Sequence, residues 1–188
     1  MRKLLFALGL TSALVFALAA HAAAPNFAGT WTLDKSKSQG LNPRQQNAES
    51  VTWNITQTEK EITIDEKIAG GAPPAGGAPA GGAPAGGQGG PGGGGRGMMG
   101  GPRTYNLDGS ETSGEMGRGK FVRKATLSSD GKTLELTSKS TFQGQDGNEI
   151  TSTNTDKLSL SADGKTLTVA SHRESPRGAQ DSTLVFNK

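Results

Sequence analysis

The 188-residue chain has no cysteine, two histidines, one tyrosine and two tryptophans. Without cysteine it has no disulfide, no thiolate nucleophile and no cysteine-linked lipid anchor, so its stability has to come from an ordinary core. Beyond residue 22 the one histidine is His172. No second His or Cys is there to build a nucleophile–base pair or a transition-metal site with it. No segment after residue 20 is apolar enough to span a bilayer as a helix. Charge of one sign is also missing. The formal net charge is +3, but Arg2 and Lys3 lie in the leader, and without them 18 basic residues face 17 acidic ones. Basic residues are scattered among acids, which argues against nucleic-acid binding.

Residues 1–22 read as a secretory signal peptide. Arg2-Lys3 begins it, Leu4 to Ala20 is almost wholly apolar, and Ala20-His21-Ala22 offers small residues for cleavage. The expected location is exported, periplasmic or extracellular, with no transmembrane segment after the signal. Residues 23–188 read as a single domain interrupted by a disordered loop at 69–102. That stretch holds 17 of the chain's 29 glycines and six of its nine prolines, with a five-residue period at Pro74-Ala75-Gly76-Gly77-Ala78 and Pro79-Ala80-Gly81-Gly82-Ala83. The period excludes a collagen triplet, and the composition leaves little to bury. Arg96-Gly97-Met98-Met99 within it is a possible contact for a surface or wall partner.

Everything else reads as strands. Phe27-Ala28-Gly29-Thr30-Trp31-Thr32-Leu33 alternates apolar and polar residues. Val51, Trp53 and Ile55 share one face of a second strand, and Ile62, Ile64 and Ile68 a third. Between the first strand and the second, Asp34–Ser50 is polar, with a turn at Asn42-Pro43 and room for one short helical turn. Further strands are expected over Arg103–Leu107, Lys120–Leu127, Leu134–Phe142, Glu149–Leu160, Thr166–Glu174 and Ser182–Asn187. Ser110–Gly119 reads as a polar, Gly-rich connection. Leu127-Ser128-Ser129-Asp130-Gly131-Lys132-Thr133-Leu134 is echoed 33 residues later by Leu160-Ser161-Ala162-Asp163-Gly164-Lys165-Thr166-Leu167. Each copy is a hairpin turn in which Gly supplies a positive φ. About nine strands joined to their sequence neighbours, with no covering helices, predict an all-β antiparallel up-and-down meander closing into a barrel. A two-sheet β-sandwich is the alternative.

Gly29 and Trp31 in the first strand resemble the Gly-x-Trp start of the calycins, the lipocalins and intracellular fatty-acid-binding proteins. The chain is also similar to a loose group of exported bacterial proteins with this start, a Gly-rich insert and Asp-Gly-Lys hairpins. The resemblance implies a lipocalin-like barrel in which Gly29 and Trp31 close one end, Trp31 lying against a basic residue, here Arg173 or Lys188. The ending Leu184-Val185-Phe186-Asn187-Lys188 looks like the closing strand of the fatty-acid-binding branch. That branch carries an Arg and a Tyr on its last strand, where this chain has Leu184 and Phe186, and two lid helices that Asp34–Ser50 is too short and polar to match.

Catalytic chemistry is not visible. His172 falls on the parity opposite Leu167 and Val169, which points it to solvent. Asp146 and Glu149 sit at a turn, and their spacing is not that of a calcium loop. The Gly-rich insert lacks the Gly-Lys-Ser/Thr ending of a phosphate cradle. Polar residues on the inward parity are more informative: Arg123, Ser138, Ser140, Ser152, Asn154, Asp156 and Arg173. A few convergent polar groups inside an apolar pocket orient a ligand, and a buried Arg123 or Arg173 needs Asp156 or an anion beside it. The alternative is that strands overrun the core and these residues sit at wet barrel ends. The expectation is a non-enzymatic protein without cofactor or metal, binding a small, largely apolar ligand. Trp53, Tyr105, Phe121 and Phe142 would line the pocket, with Arg123 or Arg173 as polar anchor. A structural or interaction module with a filled barrel is the alternative.

Overall fold

The computed structural model describes residues 25–70, 101–116, 119–144 and 147–188. The expected signal peptide, nearly all of the 69–102 insert and Asp146 lie outside the described residues. Ten strands and one short helix follow in order: β1 (Gly29–Leu33), α1 (Pro43–Asn47), β2 (Ser50–Gln57), β3 (Glu61–Ala69), β4 (Arg103–Asn106), β5 (Thr112–Met116), β6 (Gly119–Leu127), β7 (Thr133–Gln143), β8 (Glu149–Leu160), β9 (Thr166–Ser175) and β10 (Gly178–Asn187). All ten belong to one antiparallel sheet, ordered β4-β3-β2-β1-β10-β9-β8-β7-β6-β5. Because β1 pairs with both β2 and β10, the sheet curls on itself. Its edges, β4 and β5, lie near each other without sharing a ladder. The architecture is therefore a nearly closed up-and-down barrel and not a sandwich. Among the described residues no helix is long and apolar enough to cross a membrane.

The strand count corrects the sequence reading by one. Thr112–Met116 has no apolar alternation and carries Gly114, so it reads as a connection. It is a strand because its backbone pairs residue for residue with β6, from Thr112 opposite Arg123 to Met116 opposite Gly119. The ladder, not burial, specifies it.

The echoed turns are built alike. Ser128 Oγ donates to Asp130 Oδ1 at 2.5 Å, the same carboxylate accepts from Lys132 N at 3.1 Å, and Thr133 N donates back to Ser128 Oγ at 3.0 Å. Ser161, Asp163, Lys165 and Thr166 repeat this with distances of 2.5, 3.1 and 2.9 Å. Gly131 and Gly164 take φ values of +68° and +67°, which a side chain would strain. The serine hydroxyls hold Asp130 and Asp163 below the usual carboxylate range. Between β1 and β2, Asn42 and Gln45 form a reciprocal capping box around Pro43, so the expected helical turn is present as α1. A bridge from Gln39 to Thr183 fastens this loop to β10.

Register arranges the interior in rows. The row Leu127, Leu134, Leu158, Val169 and Leu184 crosses β6 to β10 and packs with Phe27, Trp31 and Phe186 at one end. The next row is mixed: Ala125, Leu136, Asp156, Ser171, Ser182. The third is wholly polar: Thr112, Arg123, Ser138, Asn154, Arg173, Gln180. Beyond it Gly114 faces Phe121, and at the rim Gly119 faces Phe142, which faces Ile150. The barrel thus runs from an apolar closed end, through a polar belt, to an apolar rim.

Candidate functional site

Closure at the apolar end falls to Trp31, which is fully buried and donates from Nε1 to the Phe27 carbonyl at 2.8 Å. Lys188 Nζ stands 4.9 Å from the Trp31 ring centroid, a cation–π contact. Of the two basic residues weighed for that place, the structure selects Lys188. Gly29 is part of the same arrangement. Its φ is +140°, and a Cβ there would come within 2.8 Å of Lys188 Cε.

The polar belt and the β4–β5 seam form the second region. Tyr105 on β4 is fully buried and Trp53 on β2 is 3% exposed. Trp53 packs on Phe186 with ring centroids 4.7 Å apart. Arg103, two residues before Tyr105 on the same face, lies 5.4 Å from the Trp53 ring centroid and 3.7 Å from Asp156 Oδ2. Asp156 also accepts a hydrogen bond from Ser171 Oγ. Its partner is therefore Arg103, and not the Arg123 or Arg173 weighed from the sequence. Across the seam, Arg123 lies 4.1 Å over the Phe121 ring and 6.0 Å from the Tyr105 ring centroid.

Among the described residues four buried polar atoms have no hydrogen-bond partner: Tyr105 OH, Thr112 Oγ1 and Arg123 Nε on the strands of the seam, and Trp53 Nε1 on β2. Buried polar groups are nearly always paired, so the three at the seam mark an unusual place. Burial pushes the Tyr105 phenol above its usual pKa of 10.0 and lowers that of the Arg123 guanidinium.

Phe121 and Phe142 line the rim side, both half-buried. Each lies over a glycine on the neighbouring strand. A Cβ at Gly114 would sit 2.7 Å from Phe121 Cζ, and one at Gly119 only 2.4 Å from Phe142 Cδ1. The two glycines leave the space that those rings occupy. Ile150, opposite Phe142, is 41% exposed.

The expected site residues therefore divide. Trp53, Tyr105, Phe121 and Arg123 gather around the seam, and Phe142 lies at the rim. Arg173 is exposed. It stands in the same cross-strand row as Arg123 but three strands away, about 14 Å at ordinary strand spacing. Arg103 and Thr112 are the members that the sequence reading passed over. Arg103 shares Tyr105's parity and was open to detection; Thr112 was not, because β5 itself was not legible.

His172 lies on the outer face, its Nδ1 2.6 Å from Asp181 Oδ1 and its Nε2 3.4 Å from Glu174 Oε1. Those hydrogen bonds, Asp181's first, raise its pKa above 6.5. Among the described residues no group of three or more His, Asp or Glu side chains is placed to hold a metal. Two open depressions, of about 330 and 360 Å³, are present: one on the outer wall at Thr126, Glu135 and Lys157, the other at the rim, lined by Gly119 and Phe142 from the inward face and by Lys120 and Thr141 from the outer one.

No protein-family model matches the chain, and no curated protein matches it. Among solved structures it is similar to zebrafish ileal bile acid-binding protein complexed with cholic acid. The two share 13% identity over 86% of this chain and 98% of that one, with a TM-score of 0.46. At that level the likeness adds nothing to the geometry of the seam, on which any functional reading has to stand.

Proposed function

We propose that this protein is an exported, non-enzymatic binding protein for a small, largely apolar molecule. The observation that carries the reading is the inward-facing apolar wall at the rim, where Phe121 and Phe142 pack against Gly114 and Gly119 and keep accessible surface. Apolar side chains left half-wet inside a barrel, beside a few buried polar groups, suit a ligand of the same character. The versatile side chain His172 lies on the opposite face of the sheet from this wall.

The competing reading is a filled barrel serving as a structural or interaction module. Close packing of Trp31, Tyr105 and Phe186, each at 0% exposure, favours it. The two readings part on one titration. The purified protein is mixed with an apolar fluorescent probe while quenching of Trp31 and Trp53 is followed. Saturable one-to-one binding, weakened by Phe121→Ala, is expected. No binding by a protein shown to be folded by circular dichroism would refute the carrier reading in favour of the filled module.

A further inference from the structure

We propose that Asp108-Gly109, in the connection from β4 to β5, is the modification site at which this protein ages, its aspartate passing through a cyclic imide to isoaspartate. The proposal concerns the chain's own chemistry and does not depend on what the barrel binds.

The reaction needs no enzyme. The main-chain nitrogen that follows an aspartate attacks the protonated carboxyl at Cγ, gives up its own proton, and a water leaves. Water then opens the ring at either carbonyl, returning aspartate or giving isoaspartate of the same mass. A glycine in second place leaves the attacking nitrogen unhindered and the backbone free to turn into the ring. The chain has four such pairs, with aspartates at 108, 130, 146 and 163. By sequence alone they are equal.

The structure separates them by what each glycine nitrogen does. Gly131 N donates to Ser128 O at 2.9 Å, Gly147 N to Gly144 O at 3.1 Å and Gly164 N to Ser161 O at 2.9 Å. Each of these turns is latched again across its neck, Ser128 N to Thr133 O, Gly144 N to Asn148 O and Ser161 N to Thr166 O, at 2.9, 2.8 and 2.9 Å. Cyclisation there has to break those bonds. Among the described residues Gly109 N makes no such bond, and β4 and β5 share no ladder to latch the two arms. The ties at this connection run through side chains: Ser110 N donates to Asp108 Oδ1 at 2.8 Å, and Asn106 Nδ2 to Ser110 Oγ at 2.8 Å. Acidity does not discriminate, because Ser110, Ser128 and Ser161 hold Asp108, Asp130 and Asp163 alike below the usual carboxylate range. The unheld nitrogen and the unlatched arms do. Isoaspartate routes the main chain through Cβ, which lengthens the link between the two edge strands and takes the carboxylate away from Ser110 N. The seam loosens with age.

Trypsin puts the four pairs on separate peptides, 104–118, 125–132, 140–157 and 158–165. Purified full-length protein, shown to be folded by circular dichroism, is aged warm at mildly acidic pH, and a second sample is aged unfolded in urea. Isoaspartate is read in each peptide by its shifted elution and by methyl transfer from S-adenosylmethionine with a protein isoaspartate methyltransferase. In the folded protein, peptide 104–118 is expected to accumulate at least about fivefold more than any other, the factor one net hydrogen bond provides. In urea the four are expected to converge. Asp108→Glu, whose ring would be larger and slow to close, should silence that peptide and leave the rest unchanged. If the four age alike in the folded protein, if another peptide leads, or if 104–118 leads as strongly in urea, the inference falls.

Discussion

Replacing Tyr105 by Phe should make the ligand-free protein more stable. The phenol is fully buried and its oxygen has no hydrogen-bond partner. Leaving a hydroxyl unpaired in an apolar setting costs about 1–3 kcal/mol. Phe keeps the ring, so packing against its neighbours and the Arg123 contact survive. The expected gain is about 1 kcal/mol, or roughly 3–5 °C in Tm for a domain of this size. Urea unfolding followed by far-UV circular dichroism reads it directly. A second readout needs no variant. Tyr105 is the chain's one tyrosine, so tyrosinate absorbance reports it alone. Burial should hold its ionisation above 10.0. The sign follows: the unfolded chain releases the proton near 10 while the folded one retains it, so stability is intact below that pH and falls above it. A Tyr105→Phe protein that is less stable by about 1 kcal/mol, or a tyrosine that ionises at its ordinary pKa, would show that the hydroxyl is hydrogen-bonded or solvated, and the unpaired group at the seam would lose a member.

Three further outcomes are expected. Gly29→Ala should cost about 1–3 kcal/mol in urea unfolding, because its φ of +140° disfavours any side chain and the new Cβ presses on Lys188; an unchanged midpoint would remove Gly29 from the closure. Asp156→Ala should cost about 3 kcal/mol by stranding Arg103, and a double-mutant cycle with Arg103→Met should recover much of it; additive costs would mean the pair is not coupled. Stability should respond to pH at both ends of the range. Asp34, held at about 2 first by the Ser36 hydroxyl, contributes above 3.8 and loses that contribution as pH falls through about 2. His172, raised by Asp181 and then Glu174, contributes below 6.5 and loses it as pH climbs past the raised value. An NMR titration in which Asp181→Asn leaves the imidazole pKa unchanged would contradict that cause.

Much of the barrel was legible because its signals are local. Alternation in Val51-Thr52-Trp53-Asn54-Ile55 sets a face, and Asp130-Gly131 and Asp163-Gly164 set turns, all within a few residues. The inward parity of Ser138, Asn154 and Asp156 could be read the same way. Two things could not. Strand β5 exists because β6 offers it a ladder, and nothing in Thr112-Ser113-Gly114-Glu115-Met116 announces that. Partner choice is also set by distance across the barrel: Asp156 on β8 lies six strands from β4 by ladder yet meets Arg103 there, because the sheet curls. The same curl separates Arg123 from Arg173, which parity alone treats as equals.

A tube slit along its length twists easily where an unbroken one is stiff. The missing ladder between β4 and β5 is such a slit. One lip carries Arg103 and Tyr105, and the other carries Thr112 and, one strand behind, Arg123. Amide hydrogens along these lips should exchange fastest among the strands, since each lip is fastened from one side only. A molecule gripping both lips acts as a rivet. Its binding would then be felt as torsional stiffening of the whole wall, with slower exchange far from the atoms it touches.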